Sequence, residues 1–175
     1  MGRGVREWRL ERRCQKRVEM APSPALTPAL RSQLAQAALA MARRAGYRSL
    51  GTFEFLVDDA SAELPFVFIE ANPRLQVEHT VTEAVTGLDL VALQVQVAAG
   101  RSMVELGLSE SAPVPERGFA IQWRINAETL DAEGHAMPTG GRVQQLAWPG
   151  GPGVRVDTHA LAGAASSPNF DSLLA

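Results

Sequence analysis

Two short apolar runs separated by a few polar residues constrain this chain more than any other feature. TFEFLV (52–57) alternates apolar and polar side chains, the polar DDASAE follows, and PFVFIEANP (65–73) resumes the extended pattern through about Asn72. A period of two marks a half-buried strand, and two such strands joined by a short polar connection predict an antiparallel hairpin. Glu54 then shares a face with Thr52 and Leu56, while Glu70 and Asn72, two apart, share one face of the second strand. If the register sets Glu54 near Glu70, three oxygen ligands converge. Neighbouring carboxylates repel unless a cation lies between them. Hard oxygen donors with an amide suit Mg²⁺ or Mn²⁺, and magnesium fills its remaining positions with water and phosphate oxygens. ATP chemistry is one reading of this face and a solvated, ligand-free hairpin is the other. Spacing does not choose between them.

The run PRLQVEH (73–79) follows the second strand directly. Arg74 offers a planar fork for a small oxyanion, Gln76 can donate as well, and Glu78 is a candidate general base. An ordinary polar loop with surface ion pairs accounts for the same residues. Further along, GFAIQWRINAE (118–128) alternates as a strand, with Gln122, Arg124 and Asn126 on one face and Ile121, Trp123 and Ile125 on the other. Arg124 is either directed into a cleft or an edge charge that blocks aggregation.

The remaining elements are read from punctuation. Thr27 to Gly46 predicts a helix, with Thr27 as cap, Pro28 at the first position and Gly46 as the stop. Thr86 to Gly100 predicts another, with Thr86 and Asp89 as a capping arrangement. Residues 101–117, with Pro113 and Pro115, read as a linker. GGRVQQLAWPGGPGVRVDTHA (140–160) predicts two short strands around a Gly/Pro turn. The chain stops within an apolar run, FDSLLA, and that ending looks cut.

Composition excludes more than it proposes. With 175 residues the chain can hold one domain or two partial ones. A net charge of -2 makes no case for nucleic acid or an acidic membrane surface. No run approaches the roughly 18 apolar residues of a membrane helix. The single cysteine, Cys14, excludes an internal disulfide and suits a reducing, cytoplasmic setting. The three histidines lack zinc-ligand spacing. Arginine is abundant, but lysine occurs once, at Lys16. That is either chance or a site that needs a compact ammonium in place of a planar fork.

Several segments together resemble the biotin carboxylase component of biotin-dependent carboxylases, the acetyl- and propionyl-CoA carboxylase alpha-subunit type within the ATP-grasp superfamily. They are GTFEFL (51–56), FIEANPRLQVEHTVTEAVTGLDL (68–90) and RINAE (124–128), with RCQKRVEMAPSP (13–24), PTGGRVQQLAWPGGPGVRVDTH (138–159) and NFDSLLA (169–175). The glutamate pair with asparagine is common to many ATP-grasp enzymes, whereas NPRLQVEH followed by RINAE is much narrower. The resemblance implies an α+β fold: the C-terminal part of an ATP-grasp domain, then the truncated start of a biotin carboxylase C-terminal domain. The expected division is an unmatched leader (1–10), a partial ATP-grasp domain (11–100), a linker (101–117) and a partial C-terminal domain (118–175).

By the same resemblance, Glu54, Glu70 and Asn72 match residues that hold Mg²⁺ or Mn²⁺ on the phosphates of ATP. Lys16 matches a lysine facing bicarbonate, Arg74 a catalytic arginine, Gln76 and the Val77 backbone bicarbonate contacts, and Glu78 the base that deprotonates bicarbonate. Arg124 matches the arginine that contacts bicarbonate and stabilises enolised biotin, and Leu56 a residue near the adenine. Two positions depart from the pattern: Cys14 stands where a histidine is frequent and Glu11 where glutamine is usual, which puts nucleotide contacts at that end in doubt. The implied activity is ATP-dependent carboxylation of biotin with bicarbonate through carboxyphosphate. The implied partners are the rest of the biotin carboxylase, a biotin carboxyl carrier domain, a carboxyltransferase component and a second copy in a homodimer, with neither nucleic acid nor membrane. No glycine-rich phosphate loop is found, so the chain alone is expected not to turn over ATP. Another ATP-grasp ligase and a non-catalytic remnant are the competing readings, and the final carboxyl acceptor is not encoded in these segments.

Overall fold

The computed structural model describes residues 5–12, 15–58, 65–108 and 114–175. Cys14, most of the polar hairpin connection, Pro113 and the Glu11 side chain fall outside the described residues. The chain divides into two compact units, Met1–Gln122 and Trp123–Ala175.

In the first unit, strand β1 (Glu7–Arg12) pairs antiparallel with β2 (Gln15–Ala21), and β5 (Ala120–Trp123) completes a three-stranded sheet in the order β1-β2-β5. Residues 7–10, expected as part of a leader, are therefore strand. Helix α1 (Pro28–Arg44) begins as its sequence indicates: the Thr27 hydroxyl accepts from the Leu30 N–H at 3.2 Å and Pro28 takes a position where no N–H is needed. Arg43 and Arg44 sit in its last turn, favourable at the negative end of the helix dipole, and Gly46 takes the left-handed conformation that ends it.

Strands β3 (Thr52–Val57) and β4 (Phe66–Asn72) form the expected antiparallel hairpin, with Thr52 opposite Asn72 and Glu54 opposite Glu70. The register then shifts, Phe55 standing opposite Phe68, so Ile69 is a one-residue bulge. The bulge reverses the alternation of β4. Glu70 and Asn72 lie on the face of Thr52 and Glu54, while Phe66 and Phe68 lie on the face of Phe53 and Phe55. The four rings pack across the strands, with centroids 5.5 Å apart for Phe55–Phe66, 5.9 Å for Phe55–Phe68 and 6.5 Å for Phe53–Phe68. A strict period of two would have put Phe68 among the carboxylates.

The second predicted helix is revised. The chain forms α2 (His79–Thr86) and then α3 (Leu90–Ala98), bent by 100° at the break. Gly87, at φ 70°, ends α2, and its N–H reaches the Glu83 carbonyl at 2.7 Å. Asp89, not Thr86, caps α3 by accepting from the Ala92 N–H at 2.7 Å. Val81 and Val85, one turn apart on α2, bury against Ala21 of β2, with Ala120 of β5 beside them. Each buried valine contributes about 1.5–3 kcal/mol. The stretch read as a linker is tied to this unit: Arg31 of α1 pairs with Glu116, and the Arg117 N–H reaches the Val85 carbonyl at 2.7 Å. Near its start, the N–H and hydroxyl of Ser102 both donate to the Glu105 carboxylate, which holds that exposed carboxyl below its usual range. No single helix among the described residues is long and apolar enough to cross a membrane.

In the second unit, the long strand expected over 118–128 is not continuous. β5 ends at Trp123, and β6 (Glu128–Leu130) pairs separately with β7 (Ala136–Pro138). Arg124 therefore lies between strands, not on a strand face with Gln122 and Asn126. The Gly/Pro segment 140–160 does not form its own hairpin either. β8 (Gly141–Arg142) pairs with the distant β9 (Ala165–Ser166), because Pro149, Pro152 and the glycines around them interrupt any nearer ladder. A polar knot holds the ends together: Asn126 Nδ2 donates to Ser172 Oγ at 3.0 Å and to Glu128 Oε1 at 3.1 Å, and Ser172 Oγ donates to Glu128 at 3.0 Å. Ser172 is buried. Ser172→Ala leaves Asn126 and Glu128 short of a partner, and the expected loss in urea denaturation is about 1–3 kcal/mol.

Candidate active site

The site is built on one oxygen atom. Glu54 is only 7% exposed, because β3 carries it into the body of the first unit. Its Oε1 accepts from Lys16 Nζ at 2.5 Å, from Asn72 Nδ2 at 3.2 Å and from Gln76 Nε2 at 3.3 Å. Three donors from β2, β4 and the following turn thus meet on a single carboxylate oxygen. Asn72 Nδ2 also reaches Glu70 Oε1 at 2.7 Å, which ties the two opposed glutamates through one amide. The same Lys16 ammonium donates to Glu78 Oε1 at 3.2 Å. Glu78 is 2% exposed and occupies the N-cap of α2, yet its side chain makes no cap hydrogen bond, being turned to the lysine instead. A carboxylate there also suits the positive end of the helix dipole.

The donor set fits a divalent cation. Lys16 meets two carboxylates, Glu54 and Glu78, while Glu70, opposite Glu54 on the hairpin, is reached through the Asn72 amide, so these side chains carry three acids and one ammonium. Asn72 presents its NH₂ to both glutamates. Reversal of the amide about its last bond would present the carbonyl oxygen in its place, the ligand a hard cation takes. The Oε1 of Gln76 is buried without a hydrogen-bond partner, an acceptor left over on the same side chain that donates to Glu54.

The other expected residues are less drawn in. Arg74 is exposed, and its guanidinium meets only the carbonyl of neighbouring Leu75, at 3.3 Å, among the bonds described. Leu56 is exposed on β3, two residues beyond Glu54, and the Val77 side chain is exposed too. Arg124, the second residue of the second unit, is partly buried. Gln122 was noticed in the sequence but assigned no role. Its Nε2 donates to the Val77 carbonyl at 3.1 Å. The signal was its place beside RINAE, but its target is a backbone atom 45 residues away, which no local pattern reveals.

Comparison with known proteins gives the family. Residues 4–106 match the family described as carbamoyl-phosphate synthase L chain, ATP binding domain, and residues 122–175 match the biotin carboxylase C-terminal domain. The chain belongs to the biotin carboxylase family of ATP-grasp proteins. It is 45% identical over 170 residues to a pyruvate carboxylase of Pichia angusta, covering 97% of this chain and 14% of that one. It is 41% identical over 171 residues to a biotin carboxylase of Allochromatium vinosum, covering 98% of this chain and 36% of that one. A solved single-chain, multi-domain long-chain acyl-CoA carboxylase superposes with a TM-score of 0.89 at 47% identity, over 98% of this chain and 18% of the other. The chain thus spans little more than a third of the biotin carboxylase and about a seventh of the pyruvate carboxylase. The succession of the two family matches is the order expected for an ATP-grasp part followed by a biotin carboxylase C-terminal part. It does not favour an unrelated ATP-grasp ligase.

Lys16 is a cationic partner shared by Glu54 and Glu78, so its loss removes positive charge from beside two buried carboxylates. Lys16→Met is expected to lower stability by about 3–5 kcal/mol in urea denaturation. Added Mn²⁺ is expected to recover part of that loss, because it replaces the missing positive charge.

Proposed function

We propose that this chain provides the metal-holding and bicarbonate-activating part of a biotin carboxylase that carboxylates biotin at the expense of ATP. The observation that carries the proposal is the convergence of Lys16, Asn72 and Gln76 on Glu54, with Glu78 on the same lysine. Glu54, Glu70 and Asn72 would hold Mg²⁺ or Mn²⁺, which neutralises charge on the ATP phosphates. Lys16 and Gln76 receive bicarbonate: the ammonium supplies the charge, and the amide supplies directional hydrogen bonding. Arg74 adds a guanidinium suited to an oxyanion, and Arg124 is assigned to bicarbonate and enolised biotin on resemblance alone.

Glu78 takes the proton from bicarbonate. The freed oxygen attacks the γ-phosphorus of ATP, the bond to the β–γ bridging oxygen breaks, and carboxyphosphate and ADP result. Lys16, shared by Glu54 and Glu78, couples the metal-holding carboxylate to the base. Shielding from water is required, because carboxyphosphate is lost to hydrolysis. The biotin comes on a carrier domain, and the carboxyl group passes to a carboxyltransferase. Leu56 is assigned to the adenine side on resemblance alone.

Two experiments test the reading. Mn²⁺ titration followed by electron paramagnetic resonance is expected to show binding to the wild-type chain, weakened about 10–100-fold in Glu54→Gln and Glu70→Gln. Unchanged affinity in both variants would remove the metal site. The second experiment places this chain in the Allochromatium vinosum biotin carboxylase in exchange for the matching 171 residues. The chimera is expected to keep biotin-stimulated ATP hydrolysis, and Glu78→Gln within it to lower kcat by about 10²–10⁴-fold. The 175 residues by themselves are expected not to turn over ATP. A folded chimera whose ATP hydrolysis ignores both biotin and Glu78 would point to another ligase.

A further inference from the structure

The turn 76–78 is held at two successive carbonyls by side chains that belong to neither the metal face nor the bicarbonate set. The Gln76 carbonyl accepts from His79 twice, from its N–H at 3.1 Å and from ring Nδ1 at 2.9 Å. A carbonyl oxygen only accepts, so the bond requires the proton on Nδ1. The far side of the ring faces Glu83, with Nε2 3.9 Å from its Oε2. Glu83 is itself buried, and its other oxygen accepts from the Leu90 N–H at 2.6 Å, at the start of α3. The Val77 carbonyl accepts from Gln122 Nε2 of β5. The peptide group is planar and trans, so its carbonyl and N–H point in opposite directions. Fixing the Gln76 carbonyl therefore fixes the Val77 N–H, and fixing the Val77 carbonyl fixes the Glu78 N–H. Among the described residues, no hydrogen bond engages the Val77 N–H.

We infer that His79 is a positioning residue: through Nδ1 it locks the 76–77 peptide so that the Val77 N–H, beside the Gln76 and Glu78 side chains, is held ready for the carboxylate-like face of bicarbonate. Gln122 locks the next peptide in the same way. The inference rests on the reading of this turn as the bicarbonate cradle. It adds residues that do not touch the substrate and assigns the ring a tautomer. An orienting bond of this kind matters because an anion held by backbone N–H groups gains most when those groups need not reorganise to meet it.

Isosteric replacements separate the clamp from simple packing. The amide nitrogen of asparagine reaches the place of Nδ1, whereas that of glutamine reaches the place of Nε2. ¹³C-bicarbonate is titrated into the 175-residue chain with Mg²⁺ present and followed through the Val77 amide resonance. Loss of one orienting hydrogen bond is expected to weaken binding about three- to tenfold. His79→Ala, His79→Gln and Gln122→Ala should each show that loss, and His79→Asn should stay near wild type. Imidazole ¹⁵N shifts of the wild type should report the proton on Nδ1. Equal affinities for His79→Ala, →Gln and →Asn, or a neutral ring protonated only on Nε2, would overturn the clamp while leaving the carboxylase reading intact. A wild-type Val77 amide that ignores bicarbonate would overturn the carboxylase reading of the turn, and the clamp's role with it. If His79→Ala loses its dispersed amide spectrum, the comparison of His79→Asn with His79→Gln decides alone.

Discussion

A carboxylate taken out of water needs compensation, and Glu54 is the carboxylate around which the first unit is arranged. Isolated burial of such a charge costs several kcal/mol even after relaxation. β2 offsets it with an ammonium, β4 with an amide, and the turn after β4 with a second amide. These partners come from residues 16, 72 and 76, so the charge fastens together segments that are far apart in the chain. Lys16 then extends the requirement to Glu78, which at 2% exposure is the most deeply buried acidic group among the described residues. The position of α2 follows, since its first residue comes directly after Glu78, and the valines of α2 pack on the sheet that carries the lysine.

The hairpin was legible because two kinds of information agreed. Period two defined the strands, and the short polar connection between them marked an antiparallel pair, whereas the opposition of Glu54 and Glu70 was only one register among those allowed. The bulge at Ile69 was not legible. Nothing in PFVFIEAN marks one residue as unpaired, and the reason for it is tertiary: Phe66 and Phe68 leave the face that the glutamates occupy and join Phe53 and Phe55. α2 was missed because its cap position is a glutamate engaged elsewhere, so the usual start signal is absent. The boundary between α2 and α3 was present in the sequence as Gly87 and Asp89, but the apolar run across it concealed a right-angle bend. β1 and β2 were hidden by basic residues that do not alternate cleanly. The placement of Arg124 failed because a local period was extended past the point where the strand ends.

The family signatures separate into different physical jobs. NPRLQVEH supplies the turn whose Gln76 meets Glu54 and the acid that meets Lys16. RINAE is largely architectural in its second half. Asn126 and Glu128 spend their hydrogen bonds on Ser172, which joins this segment to NFDSLLA more than forty residues later. Two distant motifs of the resemblance are thus one interaction. That explains why both are present in a chain whose second unit has few buried apolar side chains to hold it together.

Asn72 and Gln76 are dipoles on short rotors. Each turns its NH₂ to a carboxylate here, and each carries an oxygen on the opposite end. Reversal of either amide about its last bond would turn an oxygen to where its NH₂ now points, with no displacement of the strands beneath. The scaffold can thus stay rigid while the polarity it offers at this point is inverted.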